Sequence, residues 1–223
     1  MVKDGIYYGI AFFAAGALLW YLTNPAFAAP LFVLALFCLY FFRDPDRAIP
    51  DGPVAVSPAD GKVVAIIGDG DGAECTRISI FLNIFDVHVN RAPIGGKITN
   101  VEYTKGQFLV ASREQASSQN ERNTVTILET TAGDSTCVRF AQIAGLIARR
   151  IVFYKKPGDI VAKGERVGLI KFGSRVDVLL DAGAALQVKV GDRVRGGASV
   201  LAYLQPKGEL ASAGSHSAAE RTR

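Results

Sequence analysis

Imidazole and thiol groups are scarce in this 223-residue chain, which holds 2 histidines and 3 cysteines. His216 lies in a polar C-terminal stretch, so imidazole chemistry in a folded domain falls to His88. Cys38, Cys75 and Cys137 are odd in number, scattered, and without a CxxC spacing. That excludes a complete disulfide framework and a zinc site built on cysteine pairs. Free thiols suit a reducing compartment, and no metal is expected. A strong excess of one charge sign is also missing: 25 basic and 21 acidic residues leave a formal net charge of +4. No dense basic stripe interleaved with aromatics occurs, so no nucleic-acid partner is expected. The modest basic balance suits attraction to an anionic membrane surface instead.

Charge is absent altogether from residues 6–22 and 26–42, which Thr23-Asn24-Pro25 separates. Each run is about 25 Å long as a helix, near the short limit for a hydrocarbon core of about 30 Å. Asn-Pro favours a turn, so residues 1–42 read as a membrane-associated helical hairpin, with one long bent helix as the alternative. A cleaved signal peptide fits poorly, because the apolar stretch is too long and the second arm lacks a small-residue cleavage site. Lys3 at one end, with Arg43 and Arg47 at the other, places both ends on the cytoplasmic face of the cell membrane by the positive-inside tendency.

Residues 43–53 are charged and proline-rich and read as a linker. From 54 to 206 the pattern is short, β-branched segments bounded by Gly, Asp or Pro, at 54–56, 62–67, 76–82, 97–103, 124–129 and 137–142. The fold class is therefore mainly β, a sandwich or barrel domain. An internal echo relates 156–170 to 189–202: each reads strand, Gly-Asp turn, Val, Gly-rich turn, strand. That is the pattern of a lipoyl- or biotinyl-like pair of hairpins. Residues 108–123 break the β pattern with a polar run long enough to form a lid. The tail, 207–223, is Ala/Ser/Gly-rich, charged and without apolar period, and reads as disordered.

Gly173-Ser174 lies between the two echoing segments. A serine directly after a glycine can attack the carbonyl of its own preceding peptide bond, since glycine neither crowds that carbonyl nor resists a strained backbone. The same dipeptide is also a common turn. Asp60, in Ser57-Pro58-Ala59-Asp60-Gly61, reads as a turn residue or as a functional carboxylate. Asp86 and His88 are two apart and would share a face on a strand. Ser174, His88 and Asp60 together supply a nucleophile, a base and an orienting carboxylate.

Several stretches, in order, resemble the short-form phosphatidylserine decarboxylase proenzymes. They are Phe42-Arg43-Asp44-Pro45, Ser57-Pro58-Ala59-Asp60-Gly61, Asp86-Val87-His88-Val89-Asn90-Arg91-Ala92-Pro93, Asn120-Glu121-Arg122-Asn123, Gly145-Leu146-Ile147-Ala148-Arg149-Arg150-Ile151 and Gly168-Leu169-Ile170-Lys171-Phe172-Gly173-Ser174-Arg175-Val176-Asp177. The resemblance runs from about residue 5 to 205. The chain departs from the family's pattern at Arg91, where long-form members carry a second histidine, and at Asp181, where a proline is common.

The resemblance implies a self-processing enzyme. Ser174 attacks the Gly173 carbonyl, and the chain breaks into a β chain, 1–173, and an α chain, 174–223. Ser174 becomes a pyruvoyl group, the electron sink of the reaction. The amine of a phosphatidylserine headgroup then forms a Schiff base with its ketone. Carbon dioxide leaves, Cα is reprotonated, and phosphatidylethanolamine is released. Asp60 would orient His88, and His88 would take the Ser174 proton and later protonate Cα. The hairpin would hold this site at the bilayer surface. Lys62, Arg91 and Arg122 are candidates for the lipid phosphate, and a homo-oligomer is compatible with the resemblance. Two other readings use the same residues. A membrane-anchored lipoyl- or biotinyl-like carrier would place a lysine at the hairpin tip, where this chain has Gly173-Ser174. A serine hydrolase would want Gly-x-Ser-x-Gly, which is absent.

Overall fold

The computed structural model describes residues 2–68, 75–131, 134–146, 150–171, 173–181 and 183–204. The expected disordered tail at 207–223, with His216, lies outside the described residues, as do 147–149 and Phe172 of the quoted stretches.

Two helices come first, α1 (Lys3–Leu22) and α2 (Pro25–Phe41), packed against each other as the expected hairpin. The turn forms where the sequence dictates. The Asn24 side chain accepts a hydrogen bond from Ala26 N at 2.9 Å, and Pro25 occupies the first helical position, where a missing N–H costs nothing. Gly5, Gly9 and Gly16 face α2, and a β-carbon on Gly5 would come within 2.3 Å of Phe42 Cβ. This stripe of small residues lets the helices approach closely. The outer surface is apolar: Tyr7, Phe13, Trp20, Phe27 and Leu36 are all more than half exposed. α1 is long and apolar enough to cross a membrane, and α2 is shorter.

The rest is β structure: β1 (Val54–Val56), β2 (Gly61–Gly68), β3 (Cys75–Leu82), β4 (Val89–Arg91) and β5 (Gly96–Thr104). After the single turn α3 (Ala116–Gln119) come β6 (Arg122–Thr131), β7 (Asp134–Ile143), β8 (Arg150–Phe153), β9 (Ile160–Val161) and β10 (Arg166–Lys171). The last are β11 (Ser174–Asp181), β12 (Ala185–Leu186), β13 (Arg193–Val194) and β14 (Val200–Tyr203). An eight-stranded antiparallel sheet runs β13-β2-β3-β11-β7-β6-β5-β9, beside three-stranded sheets β1-β14-β12 and β4-β10-β8. One core joins them. Ile78 and Ile80 of β3, Val176 and Val178 of β11, Phe140 of β7 and Ile127 of β6 are fully buried within it.

The C-terminal echo is half of a larger duplication. Gly158 N donates to Ile98 O and Ile98 N to Asp159 O, at 2.8 and 2.9 Å; Gly191 N donates to Val63 O and Val63 N to Asp192 O at the same distances. The strands these turns dock on also correspond, Gly61-Lys62-Val63 and Gly96-Lys97-Ile98. β13 meets Gly61-Lys62 in the register with which β9 meets Gly96-Lys97. Gly61 and Gly96 sit at φ +154° and +136°, and a β-carbon on either would strike a neighbouring strand's carbonyl oxygen, Phe81 O or Leu128 O. Glycine is required at both for that close approach.

The segment at 43–53, expected as a linker, is fastened to the domain at its start. Arg91 donates to Asp44 and to Pro45 O, Arg166 pairs with Asp44 at 2.6 Å, and Arg47 pairs with Asp60 at 2.9 Å. The segment after the hairpin is thus tied to the β domain by ion pairs, two of them, Arg91–Asp44 and Arg47–Asp60, of low exposure.

Candidate active site

Gly173 carries the chain from β10 in one sheet to β11 in another, at φ +57° in the left-handed region that glycine tolerates. Ser174 is the first residue of β11, opposite Leu82 of β3, and is fully buried. Its Oγ has no hydrogen-bond partner among the described residues. A buried, unpaired hydroxyl costs free energy, of the order of 1–3 kcal/mol, and calls for a functional reason. The Gly173 carbonyl lies against Gly145: a β-carbon there would come within 2.2 Å of Gly173 O. Gly145 therefore clears the volume this carbonyl occupies and into which it would move under attack.

His88 reaches the same point from the turn before β4. Its Nε2 accepts from Gly173 N at 3.3 Å, and its Nδ1 lies 2.9 Å from Asp86 O. A carbonyl can only accept, so Nδ1 carries the proton and Nε2 the lone pair. The ring is 2% exposed and lies on Phe41 at the end of α2, with ring centroids 4.2 Å apart. This burial pushes its pKa down to about 4, outweighing the Asp86 carbonyl and charge, which act the other way; Arg43 adds to the lowering. His88 is thus a neutral imidazole at neutral pH, able to accept a proton beside Gly173.

Asp86 and His88 do not share a strand face as the spacing suggested. Both lie in the turn that precedes β4, and the link between them is through the Asp86 carbonyl. The Asp86 carboxylate instead accepts from Asn83 N and pairs with Arg193. Asp60 accepts from Gly196 N at 2.7 Å and from Arg47 at 2.9 Å, and no hydrogen bond joins it to His88. The structure brings Gly173 and His88 together and holds Asp60 between the junction after α2 and the turn after β13.

The phosphate candidates fare differently. Lys62 is exposed on β2. Arg91 is buried and donates to Gly164 O as well as to Asp44 and Pro45 O. Arg122 donates to Ser117 O and Ser118 O.

Sequence reasoning did not assign a role to the residues that close the site. Arg175 is fully buried directly after Ser174, donating to Asp177 at 2.6 Å, to Ser79 Oγ at 2.5 Å, to Arg113 O at 3.2 Å and to Glu114 at 3.2 Å. Asp177 also accepts from Ser117 Oγ at 2.6 Å. Asn120 donates to Leu109 O and Ala144 O and accepts from Leu109 N. The polar segment at 108–123 is thereby strapped over the start of β11. The signal for this was an alternating Arg-x-Asp on an otherwise apolar strand, a pattern that makes sense only as a buried ion pair.

The family model described as phosphatidylserine decarboxylase matches residues 34–202. A phosphatidylserine decarboxylase proenzyme of Solibacter usitatus (strain Ellin6076) is 62% identical over 202 residues, covering 91% of this chain and 96% of the relative. Proenzymes of the same description from Desulfotalea psychrophila (strain LSv54 / DSM 12343) and Erythrobacter litoralis (strain HTCC2594) are 49% and 45% identical. They cover 78% and 89% of this chain, and 83% and 86% of their own lengths.

Proposed function

The chain belongs to the phosphatidylserine decarboxylase family, and from that premise we propose that it cuts itself at Gly173-Ser174 and decarboxylates phosphatidylserine to phosphatidylethanolamine. The observation that carries the self-cleavage is the buried, unpartnered Ser174 Oγ directly behind a glycine at φ +57°. Ser174 Oγ attacks the Gly173 carbonyl carbon, and the Oγ proton passes to the neutral imidazole of His88. The C–N bond then breaks, the proton goes to the departing nitrogen, and an ester links the two residues. Elimination releases Gly173 as a carboxylate and leaves a dehydroalanine at residue 174, which water converts to a ketone with loss of ammonia.

The residues present fit a pyruvoyl group at position 174. The position is buried, the side-chain oxygen has no partner among the described residues, and a neutral imidazole stands within reach of the preceding residue. That group's ketone supplies the electron sink that carries the decarboxylation. His88 holds a proton on Nδ1 against Asp86 O and a lone pair on Nε2, so it can accept a proton during cleavage and return one to the lipid Cα. Asp60 supports the site through Arg47 and Gly196 N, fixing the junction after α2. The strapped segment at 108–123 excludes water from the start of β11. The apolar hairpin, 1–42, seats the site at the cytoplasmic face of the membrane, followed by a linker at 43–53, the decarboxylase domain at 54–206 and a tail at 207–223.

Intact mass spectrometry of the purified protein tests this. Two chains are expected, the smaller starting at residue 174 with a blocked, ketone-bearing N-terminus. Ser174→Ala is expected to remain one chain and release no carbon dioxide. A wild-type protein that decarboxylates phosphatidylserine as a single uncut chain would overturn the mechanism.

A further inference from the structure

A cleft of about 640 Å³ opens where the first turn of α1 meets the sheet β4-β10-β8. Lys3, Arg150, Arg166 and Lys171 line it, against two carboxylates, Asp4 and Asp44. Both carboxylates are already committed. Asp4 pairs with Lys171 at 2.8 Å, and Asp44 pairs with Arg166 at 2.6 Å and with Arg91 at 3.2 Å. Lys3 and Arg150 have no carboxylate partner among the described residues. Arg150 also stands directly across the β8–β10 ladder from Lys171. Like charges opposed across a ladder destabilise it; Asp4 already offsets Lys171, so Arg150 is the member of the pair left for an outside anion to offset.

The location matches a lipid headgroup. The cleft sits at the domain end of the hairpin, where the apolar helical surface gives way to charge, and Tyr8 and Tyr154 line it. Tyrosines at such a boundary are the usual mark of the membrane–water interface. The cleft also adjoins the candidate site: Val89, next to His88, and Lys171, two residues before Gly173, are among its walls. The cations considered from sequence are exposed on another strand or occupied by protein oxygens. Lys3 and Arg150 are exposed and free to bind.

We propose that this cleft seats the phosphodiester of the lipid headgroup, with Arg150 and Lys3 as its direct partners and Lys171, steadied by Asp4, as a supporting cation. A guanidinium suits the planar pair of phosphate oxygens, and an ammonium adds a point charge. The assignment rests on the decarboxylase reading and names the residues that hold its substrate.

The experiment compares wild type with Lys3→Gln/Arg150→Gln, each first confirmed by mass to be cut into two chains. With dispersed phosphatidylserine, KM is expected to rise roughly 10- to 100-fold, the loss that a missing charge-assisted hydrogen bond produces, with a much smaller change in kcat. Arg150→Lys should recover part of the loss. Glycerophosphoserine, the headgroup without its acyl chains, should inhibit the wild type competitively and the double variant far less. Inorganic phosphate should compete poorly with both. An unchanged KM overturns the proposal, and so does inorganic phosphate competing as well as glycerophosphoserine, which would make the cleft a plain phosphate site. Calorimetric titration of glycerophosphoserine into the Ser174→Ala protein separates this inference from its premise. Binding that depends on Arg150 supports the cleft even if wild type proves inactive, and absence of binding overturns it even if wild type is active.

Discussion

A single imidazole buried beneath an aromatic ring sets the pH behaviour at the residue scale. His88 titrates at about 4 in the folded chain against an ordinary value near 6.5. Because the folded value is the lower one, the unfolded chain binds more protons between those two pH values. The contribution of His88 to stability is therefore complete above about pH 6.5 and is lost as pH drops towards 4, by about 3 kcal/mol in all. The same shift moves the acid limb of self-cleavage: the rate is expected to hold down to pH 5 and to halve near pH 4. A midpoint near 6.5, followed by gel densitometry across buffers, would show that the histidine is not desolvated as it takes the proton. Gly145 gives a second prediction. A methyl group there would collide with Gly173 O, so Gly145→Ala should slow cleavage at least 10-fold while the uncut protein keeps its β circular dichroism. The Gly173-Ser174 pair was singled out in the sequence by the motifs around it, because the dipeptide alone is also a common turn. Gly145 had no role legible in the sequence, since its need for space depends on the carbonyl that folding brings opposite it.

Elements couple the membrane hairpin to that histidine. Phe41, 1% exposed at the end of α2, covers the His88 ring, and two neighbours grip the turn carrying it. Tyr40 Oη donates to Phe85 O at 3.3 Å, and Arg43 donates to the same oxygen at 2.6 Å while stacking on the Tyr40 ring. The end of the second apolar helix thus forms one wall of the candidate site. Phe41→Ala should readmit water to His88 and raise the acid midpoint of cleavage from about 4 towards 6.5. Phe41→Leu, which keeps an apolar cover, should leave the midpoint near 4. Equal shifts for both variants would assign the effect to general loosening instead of desolvation. The hairpin and the longer strands were legible because apolar runs and β-branched alternation are local signals. β4 and β8 were not, because each is a short segment held by long-range pairing to β10, and pairing across the fold leaves no local period.

If the chain is cut at Gly173-Ser174 as proposed, the placement of β11 decides what happens to the whole molecule. β11 runs in the middle of the eight-stranded sheet, laddered to β3 on one side and β7 on the other. β13 pairs with β2, and β14 pairs with β1, so the smaller chain is woven into two sheets. The duplication explains the weave: the β9–β10 and β13–β14 copies each dock on a strand from the first half of the chain. The C-terminal echo was visible because its Gly-Asp turns repeat in sequence. Its partners in β2 and β5 share only Gly-Lys and an apolar residue, too little to notice until the matching hydrogen bonds align them. Breaking one peptide bond at the start of β11 removes none of these contacts. Arg175 anchors the new terminus through Asp177, Ser79, Glu114 and Arg113 O, and removing one side of such a buried pair costs about 3–5 kcal/mol. The two chains of the processed protein should therefore co-elute in size-exclusion chromatography without denaturant and separate only in concentrated guanidinium. Arg175→Met should lower the denaturant midpoint of the processed protein more than that of the uncut Ser174→Ala background. In the uncut chain the bond to Gly173 holds residue 174 in place, and after cleavage that restraint is gone. An equal loss in both would mean that the arginine supports the sheet in general and not the cut end.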